Sequence, residues 1–194
     1  GNNSFTLADR YQELPIYGTT DFREGALTLF EEETPLYTDF KLHSFRCYKG
    51  KVRNLDKPAS FAGENESQSI EFELVDAERE LKIDMTYTIF RGLGTIARKQ
   101  KISNIGDEAR RIERFMSGVL EVKNRDFEWV HLSGAWLKER HIRATTVSQG
   151  TMSVGSLKGA SGHQHNPFVA LKEKSTSNDH GYVYGANLIY SGNF

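Results

Sequence analysis

His163 and His165 stand two apart in Lys158-Gly-Ala-Ser-Gly-His-Gln-His-Asn-Pro-Phe168, a stretch of small residues that ends on a proline. On an extended segment, residues i and i+2 face the same side, a spacing that zinc sites use. A metal site needs a third ligand and, for catalysis, an open position; His131, His141 and His180 are the histidines that could supply the ligand. The flanking glycines and Pro167 suggest something else: a fixed loop whose imidazoles hydrogen-bond backbone groups. The residue types favour this second reading.

Other chemistry is tested the same way. Gly92-Leu-Gly94-Thr-Ile-Ala97 has the glycine spacing of a dinucleotide loop, but such a loop opens a helix, and here a strand pattern continues from Thr95 to Ile102. A hairpin turn is the better reading. Gly159-Ala-Ser-Gly162 lacks the spacing of a serine-hydrolase elbow and has no helical pattern after it. Cys47 lies among Arg46, Tyr48 and Lys49, and positive neighbours can lower a thiol pKa, yet a strand cysteine is usually inert. Arg110-Arg111 and Arg140-His141 read as solvated faces, and Trp129 and Trp136 as core or interface anchors that could also stack on a sugar. Glycosidases need two carboxylates about 5 to 5.5 Å apart for retention, with a sugar held between them. The 26 acidic residues are scattered, and Glu71, Glu73 and Asp84 alternate onto polar strand faces, so no pair stands out. The sequons at Asn2 and Asn65 are of a kind common by chance.

The elements that would position these groups are strands. Ile70, Phe72 and Leu74 alternate with Glu71 and Glu73; Leu81, Ile83, Met85, Tyr87 and Ile89 do the same with Lys82, Asp84, Thr86 and Thr88. This period of two sends one set to a core and the other to water. The turn Arg91-Gly-Leu-Gly94 joins the second run to residues 95–102 as a hairpin. Further strands are predicted at about 111–122, 127–133, 140–148, 151–157, 167–173 and 182–190, between turns at Asn104–Asp107, Lys123–Asp126, Gln149-Gly150 and Ser177–Gly181. Leu14–Gly18 and Thr19–Arg23 read as an extended connection. The best helical candidate, Asp107–Phe115, reads equally as a turn entering a strand. Many short strands with regular punctuation predict an all-β fold, and the long runs favour a large two-sheet antiparallel sandwich over a small barrel.

Composition bounds the function. With 194 residues, 38% hydrophobic, 26% charged and a net charge of −1, the chain can bury a substantial core, and no linker divides it, so one domain over 1–194 is expected. The charge balance argues against a nucleic-acid partner, and no apolar run reaches the roughly 18 residues of a membrane span. Residues 1–20 lack a signal-peptide layout, and the missing initial Met suggests a piece of a longer polypeptide. The single Cys47 cannot form an internal disulfide, which leans toward a reducing cytoplasm.

Lys158–Phe168, Leu132-Ser-Gly-Ala-Trp136 with Lys138-Glu-Arg-His141, and Tyr184–Phe194 together resemble the N-terminal domain of bacterial glycoside hydrolase family 36 α-galactosidases. Tyr17–Arg23, His43–Arg46 with Lys49–Lys51, and Pro58–Phe61 look like further landmarks of that domain, so the resemblance runs in order over nearly the whole chain. It implies a galactose-mutarotase-like β-supersandwich of two packed sheets, followed in the parent enzyme by a (β/α)8 barrel and a small C-terminal β domain. The family's two catalytic aspartates lie in the barrel, which needs about 250 residues, so the resemblance implies no catalytic residue here. Similar members remove terminal α-linked galactose from melibiose and raffinose with retention, without a metal or other cofactor, in the bacterial cytoplasm.

The resemblance also implies partners: the chain's own barrel and the neighbouring subunits of a homotetramer. The N-terminal segment approaches an adjacent subunit's pocket. Leu7 matches an apolar position of that segment, and Asn3 falls where some relatives carry a basic residue, a departure that bears on its sugar contact. The alternative is a stand-alone carbohydrate-binding or mutarotase-like sandwich, with His163 or His165 as acid and a glutamate such as Glu139 as base.

Overall fold

The computed structural model describes residues 10–18, 24–52, 58–189 and 192–194. Asn3, Leu7 and the connection Thr19–Arg23 lie outside these. The regular structure among the described residues is all β, in strands β1 (Leu27–Glu31), β2 (Thr34–Leu36), β3 (Lys41–Lys49), β4 (Ser67–Asp76), β5 (Leu81–Phe90), β6 (Ile96–Asn104), β7 (Arg111–Phe115), β8 (Phe127–Ala135), β9 (Lys138–Thr146), β10 (His165–Glu173) and β11 (Val183–Asn187). They form three antiparallel sheets of order β2-β1-β7, β3-β4-β5-β6 and β11-β10-β8-β9. The chain divides into two compact units, Gly1–Val52 with Phe61–Glu121, and Arg53–Ser60 with Val122–Phe194.

In the first unit the alternation does what period two requires. Leu81, Ile83 and Met85 of β5 are buried against Leu27 and Leu29 of β1 and Leu36 of β2, with Phe72, Leu74, Tyr87 and Ile102 packed around them. Each large apolar side chain withdrawn from water in this way stabilises the fold by about 1.5–3 kcal/mol. The hairpin β5–β6 forms in the expected register, Tyr87 opposite Arg98 and Asp84 opposite Lys101, and Gly92 takes φ 73° in its turn. The dinucleotide reading is thereby closed. Residues 107–115 are a turn entering β7, not a helix.

Three expectations need correction. Strands β1 and β2 were not predicted. They join at Glu32 and Glu33, where Glu32 holds φ 52°, so the turn carries none of the Asn or Gly that mark a two-residue hairpin. Residues 151–157 form no strand; Ser156 exchanges two backbone hydrogen bonds with Phe194 instead, at 2.8 and 3.1 Å. The strand expected over 111–122 stops at Phe115, after which Met116 N donates to Ala26 O at 2.8 Å.

Candidate functional site

The motifs of the second unit meet in one place. Gly134, at an irregularity between β8 and β9, donates its N–H to Gln164 O at 3.2 Å, so Leu132–Trp136 holds the start of the histidine stretch. A Cβ at Gly134 would lie 2.1 Å from Lys138 O, which admits no side chain there. Asn193 Oδ1 accepts from Gly159 N at 2.7 Å, Pro167 O from Leu188 N at 2.9 Å, and Gln164 Oε1 from Lys158 Nζ at 2.6 Å. Residues that are far apart in sequence thus brace one loop.

The histidines gather only in part. His165 pairs with Ser133 and Ser133 with His141 across β10, β8 and β9. The rings of His131 and His165 are 6.4 Å apart between centroids, tilted by 43°. Nδ1 of His131, Nδ1 of His165 and Oδ1 of Asn166 are each buried without a hydrogen-bond partner. The expectation that the loop imidazoles bond backbone groups is therefore corrected for His165. Its ring faces His131, while the backbone bonds of the loop are made by Gly159 and Gln164. His180 bonds Ser177 Oγ at 2.8 Å in a separate turn. Among the described residues no three His, Cys, Asp or Glu side chains are grouped to hold a metal ion.

The polar face of β3–β6, in the first unit, lines a cavity of about 510 Å3. Two rows cross it: Ser44, Glu73, Asp84 and Lys101; and Arg46, Glu71, Thr86 and Lys99. Arg46 holds Glu71 at 2.9 Å, and Lys82 Nζ sits between Glu73 at 3.1 Å and Asp84 at 3.3 Å. Hydrogen bonding to Glu73, then to Asp84, raises the Lys82 pKa. A retaining glycosidase must hold a sugar between its two carboxyl groups. Here Glu73 and Asp84, on facing positions of β4 and β5, have an ammonium between them. The face is polar, as predicted, but it is half-buried and bridged by ion pairs, not simply wet.

A cluster that the sequence does not announce lies on the other face of the same sheet. Tyr87 OH and Arg98 Nε both donate to Glu13 Oε1, the latter at 2.7 Å, and Arg98 Nε also reaches Tyr87 OH at 3.2 Å. Tyr87 opposite Arg98 follows from the hairpin register. Glu13, 85 residues from Arg98, carries no sequence signal for this role.

Asn3 and Leu7 lie outside the described residues. Glu139, the candidate base, sits on the exposed β8–β9 hairpin and accepts the Leu137 amide at 3.2 Å. Cys47 is an exposed free thiol. Trp129 is half-buried, whereas Trp136 is 78% exposed at the hairpin tip. Arg110 is not a solvated face: its side chain is only 11% exposed and bonds Glu31 at 2.6 Å. Arg111 lies over the Phe30 ring, 4.7 Å from its centroid. Arg140 and His141 are exposed.

Residues 1–194 match the sequence family described as the Glycosyl hydrolase family 36 N-terminal domain. Alpha-galactosidase AgaA of Geobacillus stearothermophilus is 37% identical over 194 residues, covering 100% of this chain and 27% of its own length. The bifunctional alpha-galactosidase/sucrose kinase AgaSK of Mediterraneibacter gnavus is 32% identical over 193 residues, covering 100% of this chain and 21% of its own. The crystal structure of a variant of AgaA in complex with raffinose superimposes with a TM-score of 0.90 at 37% identity, covering 97% of this chain and 26% of that one. The chain thus spans about a quarter of the length of the relatives it matches.

Proposed function

Because this chain belongs to the glycosyl hydrolase family 36 N-terminal domain family, we propose that it serves as the scaffold and oligomerisation domain of a longer retaining α-galactosidase. The parent enzyme acts on terminal α-galactosyl residues of melibiose- and raffinose-type oligosaccharides. The observation that carries this reading is the match of all 194 residues to a segment that makes up only 27% of AgaA. AgaA is an α-galactosidase, and a variant of it was crystallised with raffinose, which supports that substrate class.

In this reading residues 1–194 act as one domain that packs on the catalytic barrel and on neighbouring subunits of a homotetramer in the bacterial cytoplasm. The exposed apolar side chains of the second unit support such packing: Trp136, Leu137 and Ile142 around the β8–β9 hairpin, and Tyr182 and Val183 at β11. Chemistry is left to the barrel, because the half-buried carboxylates Glu71, Glu73 and Asp84 are all engaged by Arg46 or Lys82. Leu7 and Asn3 contribute to the rim of a neighbouring subunit's pocket.

Hydrolysis of an aryl α-galactoside tests this, comparing residues 1–194 with the full-length enzyme at equal molarity. Activity confined to the full-length enzyme is expected. Turnover by the 194-residue chain that survives repurification would sink the proposal.

A further inference from the structure

The stretch that precedes β1 is tied down at two points. Ile16 pairs with Leu27 as a parallel bridge, with Ala26 N donating to Pro15 O at 2.6 Å and Tyr17 N to Leu27 O at 3.3 Å. Pro15 is fully buried beneath it. Two residues earlier Glu13 receives Tyr87 OH and Arg98 Nε from adjacent strands. The same guanidinium donates to Ser117 O and lies 5.7 Å from the Tyr87 ring centroid. The donors are built into the sheet, since Arg98 is 14% exposed, whereas the Glu13 side chain is 54% exposed and arrives from outside it. Burial, then the Glu13 hydrogen bond, pushes the Tyr87 phenol up to about 12, so it remains a neutral donor at any physiological pH.

Glu13 is the last point of this stretch that the sheet holds by side-chain hydrogen bonds before Leu7, six residues upstream. Six extended residues span at most about 20 Å, so fixing Glu13 confines where Leu7 can be presented. Releasing Glu13 would leave Pro15 and Ile16 as the first anchor and lengthen the free arm by two residues.

We propose that Glu13, Tyr87 and Arg98 form a positioning latch that holds the N-terminal segment where Leu7 and Asn3 meet substrate at a neighbouring subunit's pocket. The inference rests on the rim reading of Leu7 and Asn3 given under Proposed function. The three latch residues act through that segment and touch no substrate themselves.

The test uses the full-length enzyme with raffinose as the probe. Tyr87→Phe keeps the ring in the core and removes the hydroxyl; Glu13→Ala removes the carboxylate at an exposed position. Each is expected to raise KM three- to tenfold with kcat and Tm unchanged, and to speed amide exchange over residues 10–18. Combined with Leu7→Ala, Tyr87→Phe should add little to the KM of Leu7→Ala alone, because both disturb one contact. An unchanged KM in both latch variants overturns the proposal, as does a KM effect that multiplies with that of Leu7→Ala. A raised KM in Leu7→Ala beside an unchanged KM in the latch variants removes the latch but keeps the rim. No effect of Leu7→Ala on KM removes the rim reading and the latch proposal with it, whatever the exchange rates.

Discussion

Asp76 is 3% exposed, and its carboxylate accepts three backbone amides: Asp39 at 2.7 Å, Arg79 at 3.0 Å and Glu78 at 3.1 Å. It therefore organises the β4–β5 turn and fastens the approach to β3. Asp76→Ala leaves these donors without their acceptor, and a loss of about 2 kcal/mol or more is expected in urea unfolding. Ser69 and Thr88 form a smaller version of the same device, with Ser69 Oγ donating to Gly50 O at 2.7 Å and Thr88 Oγ1 lying 2.8 Å from Ser69 Oγ. Tyr87 gives a pH signature. Its pKa stands near 12 in the folded chain against 10.0 for an ordinary tyrosine, so the native state holds this proton more tightly than the unfolded one. Its contribution is complete below about pH 10 and is lost as pH rises toward 12. Tyr87→Phe should flatten that part of a Tm-against-pH curve relative to the parent chain. None of these roles was legible beforehand, because Asp39 and Asp76 are 37 residues apart, as are no two members of a local capping pattern.

Period two was legible wherever a strand has one wet and one dry face. Residues 81–90 and their partner strand were placed almost to the residue, because Leu81, Ile83 and Met85 alternate with polar residues. The short pair β1–β2 was not, because the alternation is brief and its turn is made by glutamates. That turn holds Glu32 in the left-handed region at φ 52°, a conformation that costs an ordinary residue roughly 1 kcal/mol. Glu32→Gly should raise the unfolding free energy by up to about 1 kcal/mol, read as a shift in urea midpoint at constant slope. The β8–β9 hairpin behaves oppositely. Gly134→Ala would drive a Cβ into Lys138 O, so a loss on the order of 2–3 kcal/mol is expected by the same measurement. The motif around Gly134 was visible in the sequence; the steric reason for it required the register.

Over the whole molecule, the family and the all-β class could be read from six separated landmarks, while the candidate site residues Leu7 and Asn3 fall outside the described structure. Strand patterns report burial within one chain, and a surface that serves another domain looks to them like any exposed face. The 194-residue chain with Trp136, Leu137 and Ile142 each more than 70% exposed should self-associate with rising concentration in sedimentation velocity, and Trp136→Ser with Ile142→Thr should shift it toward monomer. The brace between Ser156 and Phe194 has a consequence for how the chain is made. A ribosome releases residue 194 some 38 residues after residue 156 (194 − 156), so at roughly 5–20 residues per second the histidine loop spends about 2–8 s without its closing partner. During synthesis β8 and β9 can pair early, whereas the loop carrying His163 and His165 is among the last parts of the second unit to settle.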